Sequence, residues 1–148
     1  MGNLSIVYKH NHIDNHGTTK NRKHTLFSDF IVENQNINGI VEVGACHHGL
    51  SKQILDKKQT EYNIIEPSFI GDKTNLNIIP DFIENVDLQK LNTNTVIMSD
   101  VFEHFYNPKD ILEKLKNSNG IEYIYLNHSD FDYSIKNNML INLEQRVF

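Results

Sequence analysis

The chain is poor in the features that most readily announce a function. Cys46 is its only cysteine in 148 residues, so no intrachain disulfide can form, and a reducing, cytoplasmic setting is the natural expectation. No apolar run approaches the roughly 18 residues of a membrane span. The N-terminus also lacks the apolar core of a secretory signal, so no membrane partner is expected. Basic residues are outnumbered, 14 Lys and Arg against 19 Asp and Glu, for a net charge of -5. Nucleic-acid affinity comes mainly from clustered Lys and Arg that release counterions, so nucleic acid is not expected as a partner either. The only basic stretch, KNRKH at 20 to 24, reads as a solvated helix start. There is no internal repeat, low-complexity tract or visible linker, and the length suits one core.

What the chain does have is alternation. RKHTLFSDFIVENQ (22 to 35) spaces Leu26, Phe27, Phe30 and Ile31 at helical intervals. Five short β-branched runs follow, GIVEVG (39 to 44), EYNIIEP (61 to 67), LNIIP (76 to 80), TVIMSD (95 to 100) and IEYIYLN (121 to 127), bounded by Gly, Pro, Asn or Asp. LSKQILDKK separates the first two strands, and NPKDILEKLKNSNG separates the last two. In the latter Pro108 opens a helix and Gly120 closes it. Near-continuous apolar strands alternating with helices predict an α/β, doubly wound, Rossmann-like fold with a mostly parallel sheet of about five strands. The connections at 68 to 75 and 81 to 94 are short, so one or two crossover helices are expected to shrink to turns. MLINLEQRVF ends the chain on an apolar residue. Two expectations follow: either the last elements of such a domain are missing, as in a truncated gene, or Val147 and Phe148 dock into the core. An incomplete sheet edge would invite self-association of copies of the chain.

The first strand runs into IVEVGACHHG, residues 40 to 49, the turn at which a doubly wound sheet binds ligands. Gly44 and Gly49 match the outer glycines of a dinucleotide fingerprint, but Cys46 stands where the pyrophosphate needs a close backbone approach, which disfavours NAD and FAD. Leu50 and Ser51 follow where a phosphate-gripping loop carries Lys and then Ser or Thr, which disfavours a nucleoside triphosphate. A cofactor with ribose and adenine but no phosphate tolerates Cys46. Glu66 ends the second strand 22 positions after Gly44, close to the spacing at which an acid takes ribose hydroxyls; by itself it would equally be a strand-end cap.

MSDVFEHFYNPKDIL, residues 98 to 112, is the most specific segment. Together with IVEVGACHHGLS, NIIEPS and DFIENVDL it resembles the class I S-adenosylmethionine-dependent methyltransferases, nearest the branch that acts on sugars and other small metabolites and includes C-methyltransferases. The likeness runs from about residue 38 to the end. It implies S-adenosylmethionine as cofactor and a small-molecule acceptor, a sugar among the candidates. It also implies roles residue by residue. Glu42, Gly44, Ala45 and Cys46 wall the amino-acid end of the cofactor, and Glu66 holds the ribose. Pro67 and Ser68 shape the adenine side, Asp81 and Phe82 flank the ring, and Asp100 and Val101 line the floor by the methionine moiety. Two features depart from the family: Cys46, His47 and His48 are bulkier than its usual small residues, and its C-terminal strands are lacking.

Methyl transfer from a sulfonium needs a base only when the acceptor carries a proton at its attack site, and His titrates near neutral pH. His104, one turn past the fourth strand, is placed to serve; alternatively Glu103 and His104 brace the turn by hydrogen bonds. Tyr106 is a second catalytic candidate, and Tyr106 and His128 also suit the rim. A different class of function remains open, a binding or assembly module that keeps the fold without transferring a methyl group. The domain is expected over 21 to 148, after a polar arm, 1 to 20, carrying His10, His12 and His16 as H-x-H-x-x-x-H. Three imidazoles are zinc ligands in principle, but structural zinc usually adds thiolate, so no metal is assigned and the arm reads as solvated or as a lid.

Overall fold

The computed structural model of the chain describes residues 18 to 128. His10, His12 and His16, along with Val147 and Phe148, lie outside the described residues. The elements are α1 (Thr18–Val32), β1 (Ile40–Val43), α2 (Gly49–Leu55), β2 (Tyr62–Ile65), β3 (Asn77–Ile79), β4 (Thr95–Ser99), α3 (Pro108–Asn117) and β5 (Tyr123–Asn127). Short 3-10 turns occupy Leu88–Lys90 and Phe102–His104. The sheet has the order β3-β2-β1-β4-β5, with each neighbouring pair parallel. The doubly wound expectation holds, and the sheet is all parallel rather than mostly so.

IVEV of β1 and YNII of β2 are buried at every position, as strands covered on both faces must be. Beneath one face Val41, Val43, Ile65, Val96 and Met98 pack with Ile111 and Leu115 of α3. Beneath the other, Ile40, Tyr62, Ile64 and Ile97 pack with Ile31 of α1 and with Leu50 and Ile54 of α2. Seven residues make too short a helix to persist in water. Burial of Leu50 and Ile54, each worth about 2 kcal/mol, is what holds α2 in place.

The ends of the elements follow local chemistry. α1 begins four residues before its predicted start and stops three before its predicted end, where the Asn34 side chain accepts the Asn36 N–H at 3.0 Å. Such a side-chain bond competes with continuation of the helix. Pro108 opens α3, and Gly120 beyond its end has φ +96. The connection from β2 to β3 carries no helix among the described residues, and the one from β3 to β4 keeps a single 3-10 turn, as the short spacings imply.

At the amino ends of β1 and β4 the chains are bolted together. The Thr93 hydroxyl donates to the Gly39 carbonyl at 2.9 Å, and Asn94 Oδ1 accepts the Asn38 N–H at 2.8 Å. Gly39 has φ +80, and a Cβ there would stand 2.0 Å from the Asn92 carbonyl oxygen. Gly39→Ala should therefore cost roughly 2 kcal/mol or more, from left-handed strain plus a backbone collision. Gly120→Ala, whose added Cβ would meet nothing closer than 3.8 Å, should cost only the strain, about 1 to 2 kcal/mol. Urea denaturation of both variants checks this, and equal losses would refute the collision at Gly39.

Candidate functional site

The chain steps outward from β1 to β2 to β3, then returns to the other side of β1 for β4 and β5. The strand order therefore reverses between β1 and β4, and the crevice beyond their carboxyl ends is where such sheets take ligands. Three segments meet there: the loop after β1, the turn after β2 and the turn after β4.

Gly44 has φ +76, and a Cβ on it would lie 2.3 Å from Cγ2 of Val101. Only glycine lets the β1 loop nest against the β4 turn. Val101 itself is buried. The Cys46 carbonyl accepts the Ile70 N–H at 2.8 Å, joining the β1 loop to the segment after β2. The bulk of His48 is absorbed by the glycine opposite: its Nδ1 would sit 2.8 Å from a Cβ on Gly71, which has φ +129. His24 of α1 lies somewhat less close to Gly49, with Nδ1 3.1 Å from a Cβ built there. Of the expected wall, Gly44 and Cys46 are half-buried at the crevice. Ala45 instead packs into the core under α1 and α2 with Ile31 and Leu50.

Glu42 also points into the interior. It is 3% exposed and accepts the Tyr62 hydroxyl at 2.7 Å. Burial pushes its carboxyl up to about 7, the Tyr62 hydrogen bond pulling the other way. The same burial and the neighbouring carboxylate hold the Tyr62 phenol well above its ordinary value, so it remains a donor. The sequence marks Tyr62 only indirectly, since an acid inside the apolar run IVEV requires a donor beside it.

Glu66 ends β2 almost fully buried. Its Oε1 accepts the Ser68 N–H at 2.8 Å. Burial raises its carboxyl above the usual range, and the Ser68 bond offsets part of that. Pro67 is exposed and Ser68 half-buried. After β3, Asp81 Oδ1 accepts both the Phe82 N–H and the Asn85 side chain at 2.7 Å. The Asn85 bond and then the Phe82 bond draw its carboxyl down. Phe82 is 45% exposed beside it.

Asp100 follows β4 in the left-handed region, φ +53, with its N–H on the Asn127 carbonyl at 2.7 Å. A non-glycine residue there costs about 1 to 2 kcal/mol, and such strain gathers at functional sites. Both its carboxylate oxygens take Lys23 Nζ, at 2.6 and 2.7 Å. With the side chains about a third exposed, the pair is worth about 1 kcal/mol at most. Lys23 belongs to the stretch that reads as a solvated helix start, and nothing in the sequence marks it as reaching Asp100. His104 ends the 3-10 turn exposed, and Tyr106 is fully exposed. His128 is exposed just past β5. Among the described residues no three His, Cys, Asp or Glu gather as a metal site, and no helix is long and apolar enough to cross a membrane.

No protein family is matched by the sequence, and no curated protein either. Solved structures do match in fold. The plantazolicin methyltransferase BpumL, in complex with a pentazolic desmethylPZN analog and SAH, aligns with TM-score 0.66 at 17% identity, covering 93% of this chain and 57% of its own. In its complex with a monoazolic analog and SAH the TM-score is 0.64 at 18% identity, covering 82% and 51%. The N-terminal domain of EvdMO1 with SAH bound aligns with TM-score 0.54 at 17% identity, covering 70% and 48%. The chain thus has the fold of these SAH-bound proteins and spans about half their length.

The Glu42–Tyr62 pair makes stability depend on pH. A carboxyl whose folded pKa is about 7 against 4.5 unfolded binds its proton more tightly in the folded state, so its stabilising effect is complete below about 4.5 and is lost as pH rises through 7. The parent should lose on the order of 2 to 3 kcal/mol between pH 4.5 and 8 through this group. In Glu42→Gln that share of the pH dependence should vanish. Urea midpoints at pH 5, 6.5 and 8 for both proteins decide it; parallel curves would overturn the assignment.

Proposed function

We propose that this chain binds S-adenosylmethionine in the crevice between β1 and β4 and directs its methyl group to a small-molecule acceptor, sugars and comparable metabolites being the class the sequence resemblance favours. The observation that carries the reading is Glu66. It is a buried carboxylate at the end of β2 with Oε1 anchored on the Ser68 N–H, and no described donor reaches its Oε2. A carboxylate so held suits a pair of ribose hydroxyls. The β1 loop fits the rest of such a ligand. Gly44 brings bare backbone to the crevice, while the buried Leu50 occupies the position where a phosphate-gripping loop needs a lysine.

When bound, this cofactor supplies a methyl group on an already activated leaving group, so the protein's part is to align the acceptor and exclude water. Gly44 and Cys46 wall the amino-acid end, with Glu42 and Ala45 supporting them from within the core. Pro67 and Ser68 shape the adenine side. Phe82 offers a ring face for the base, and Asp81, whose Oδ1 is engaged in its own turn, flanks it through Oδ2. Asp100 and Val101 form the floor. His104 is the base for acceptors that must lose a proton, with Tyr106 at the rim beside it.

Calorimetry with S-adenosylmethionine and S-adenosylhomocysteine tests the reading, and no heat from folded protein at millimolar ligand would end it. Glu66→Gln keeps the shape but weakens two charge-assisted bonds, each worth roughly 1.5 to 3 kcal/mol at a buried site. Cofactor affinity should fall at least about tenfold, while the ligand-free melting temperature barely moves. Equal affinity would reduce Glu66 to a strand end.

A further inference from the structure

The first turns of α1 touch two of the segments that meet at the crevice. Lys23 reaches Asp100 at the carboxyl end of β4, while its neighbour His24 abuts Gly49 at the start of α2. One contact is to the turn after β4, the other to the loop after β1. The Asp100 carboxylate has little freedom to choose another partner. Its backbone is held at φ +53 with its N–H on Asn127, and both its oxygens face one ammonium within 2.7 Å. The side chains of the pair are 34% and 38% exposed, so water screens them only in part.

We infer that Lys23 is a specificity-determining residue of the cofactor site: paired with Asp100, it cancels a carboxylate that would otherwise favour the sulfonium form of the cofactor over its uncharged thioether product. The inference rests on the proposed function, with Asp100 at the floor of the methionine pocket. S-adenosylmethionine and S-adenosylhomocysteine share the amino acid, ribose and adenine, so contacts to those parts change both affinities alike. They differ by one methyl group and one positive charge, and only charge near the sulfur separates them. A bare carboxylate there selects the cation. A carboxylate neutralised by a lysine does not, and a lysine left without its acid repels the cation. The pair therefore sets how strongly the product competes with the cofactor for the site.

The test is a double-mutant cycle read by calorimetry with both ligands at low ionic strength, on the full chain with folding checked by circular dichroism and melting temperature. Lys23→Met, which keeps most of the aliphatic stem, should raise the ratio of S-adenosylmethionine to S-adenosylhomocysteine affinity about tenfold, and Asp100→Asn should lower it by a similar factor. The double variant should return within about threefold of the parent ratio. A merely structural contact would weaken both ligands together and leave the ratio still. A ratio that does not move in opposite directions in the two single variants, while the parent binds both ligands, overturns this inference and leaves the cofactor reading intact. Absence of binding by either ligand to the folded parent overturns both.

Discussion

The closeness of the β1 loop to the β4 turn at Gly44 governs the rest of the site. The loop can nest on Val101 only because residue 44 lacks a Cβ and takes φ +76. That approach fixes the spacing between the two strand ends at the point where the sheet changes direction. The other loops register on it. Cys46 hands its carbonyl to Ile70, and Gly71 clears the space into which His48 projects. A backbone-built crevice of this kind is stiff, because its geometry depends on dihedral angles and main-chain hydrogen bonds and not on the rotamers of long side chains.

The polar groups inside the sheet are arranged around the same point. Glu42, two residues before Gly44, lies under α1 and α2 with Tyr62 as its donor. Asp100 sits across from Gly44 with Lys23 closing over it, and Glu66 stands at the end of the next strand out. Three acidic side chains thus surround one strand end, each in a different state. Glu42 is driven toward neutrality by burial, Glu66 is anchored on a backbone N–H, and Asp100 is matched by a lysine.

Much of the fold was legible because its signals are local. Strands buried on both faces are necessarily runs of β-branched residues, so β1, β2 and β4 stand out in the sequence. Pro108 marks the start of α3 because it has no N–H to lose there, whereas the helix ends at Asn117 on an extended Ser118, before Gly120 with its φ +96 is reached. Gly44 and Glu66 were legible by spacing alone, since the length of one strand-helix-strand unit determines how far apart two neighbouring strand ends fall. The limits of α1 were less legible, because Asn34 ends the helix while the apolar period itself gives no stop.

The sequence by itself determined the alternation of elements, the glycine turn after β1 and the acid at the end of β2, all set by nearest-neighbour chemistry and by the period of burial. The tertiary structure alone decided which side chains face one another. Tyr62 meets Glu42 only through the parallel register of β1 on β2, and a shift of one residue would turn the phenol to the opposite face. Ala45, adjacent to the crevice in sequence, turns into the core because α1 and α2 cover that side of the loop. Lys23 and Asp100 lie 77 residues apart. They meet because α1 packs beside α2, and no local pattern of either residue type records that contact.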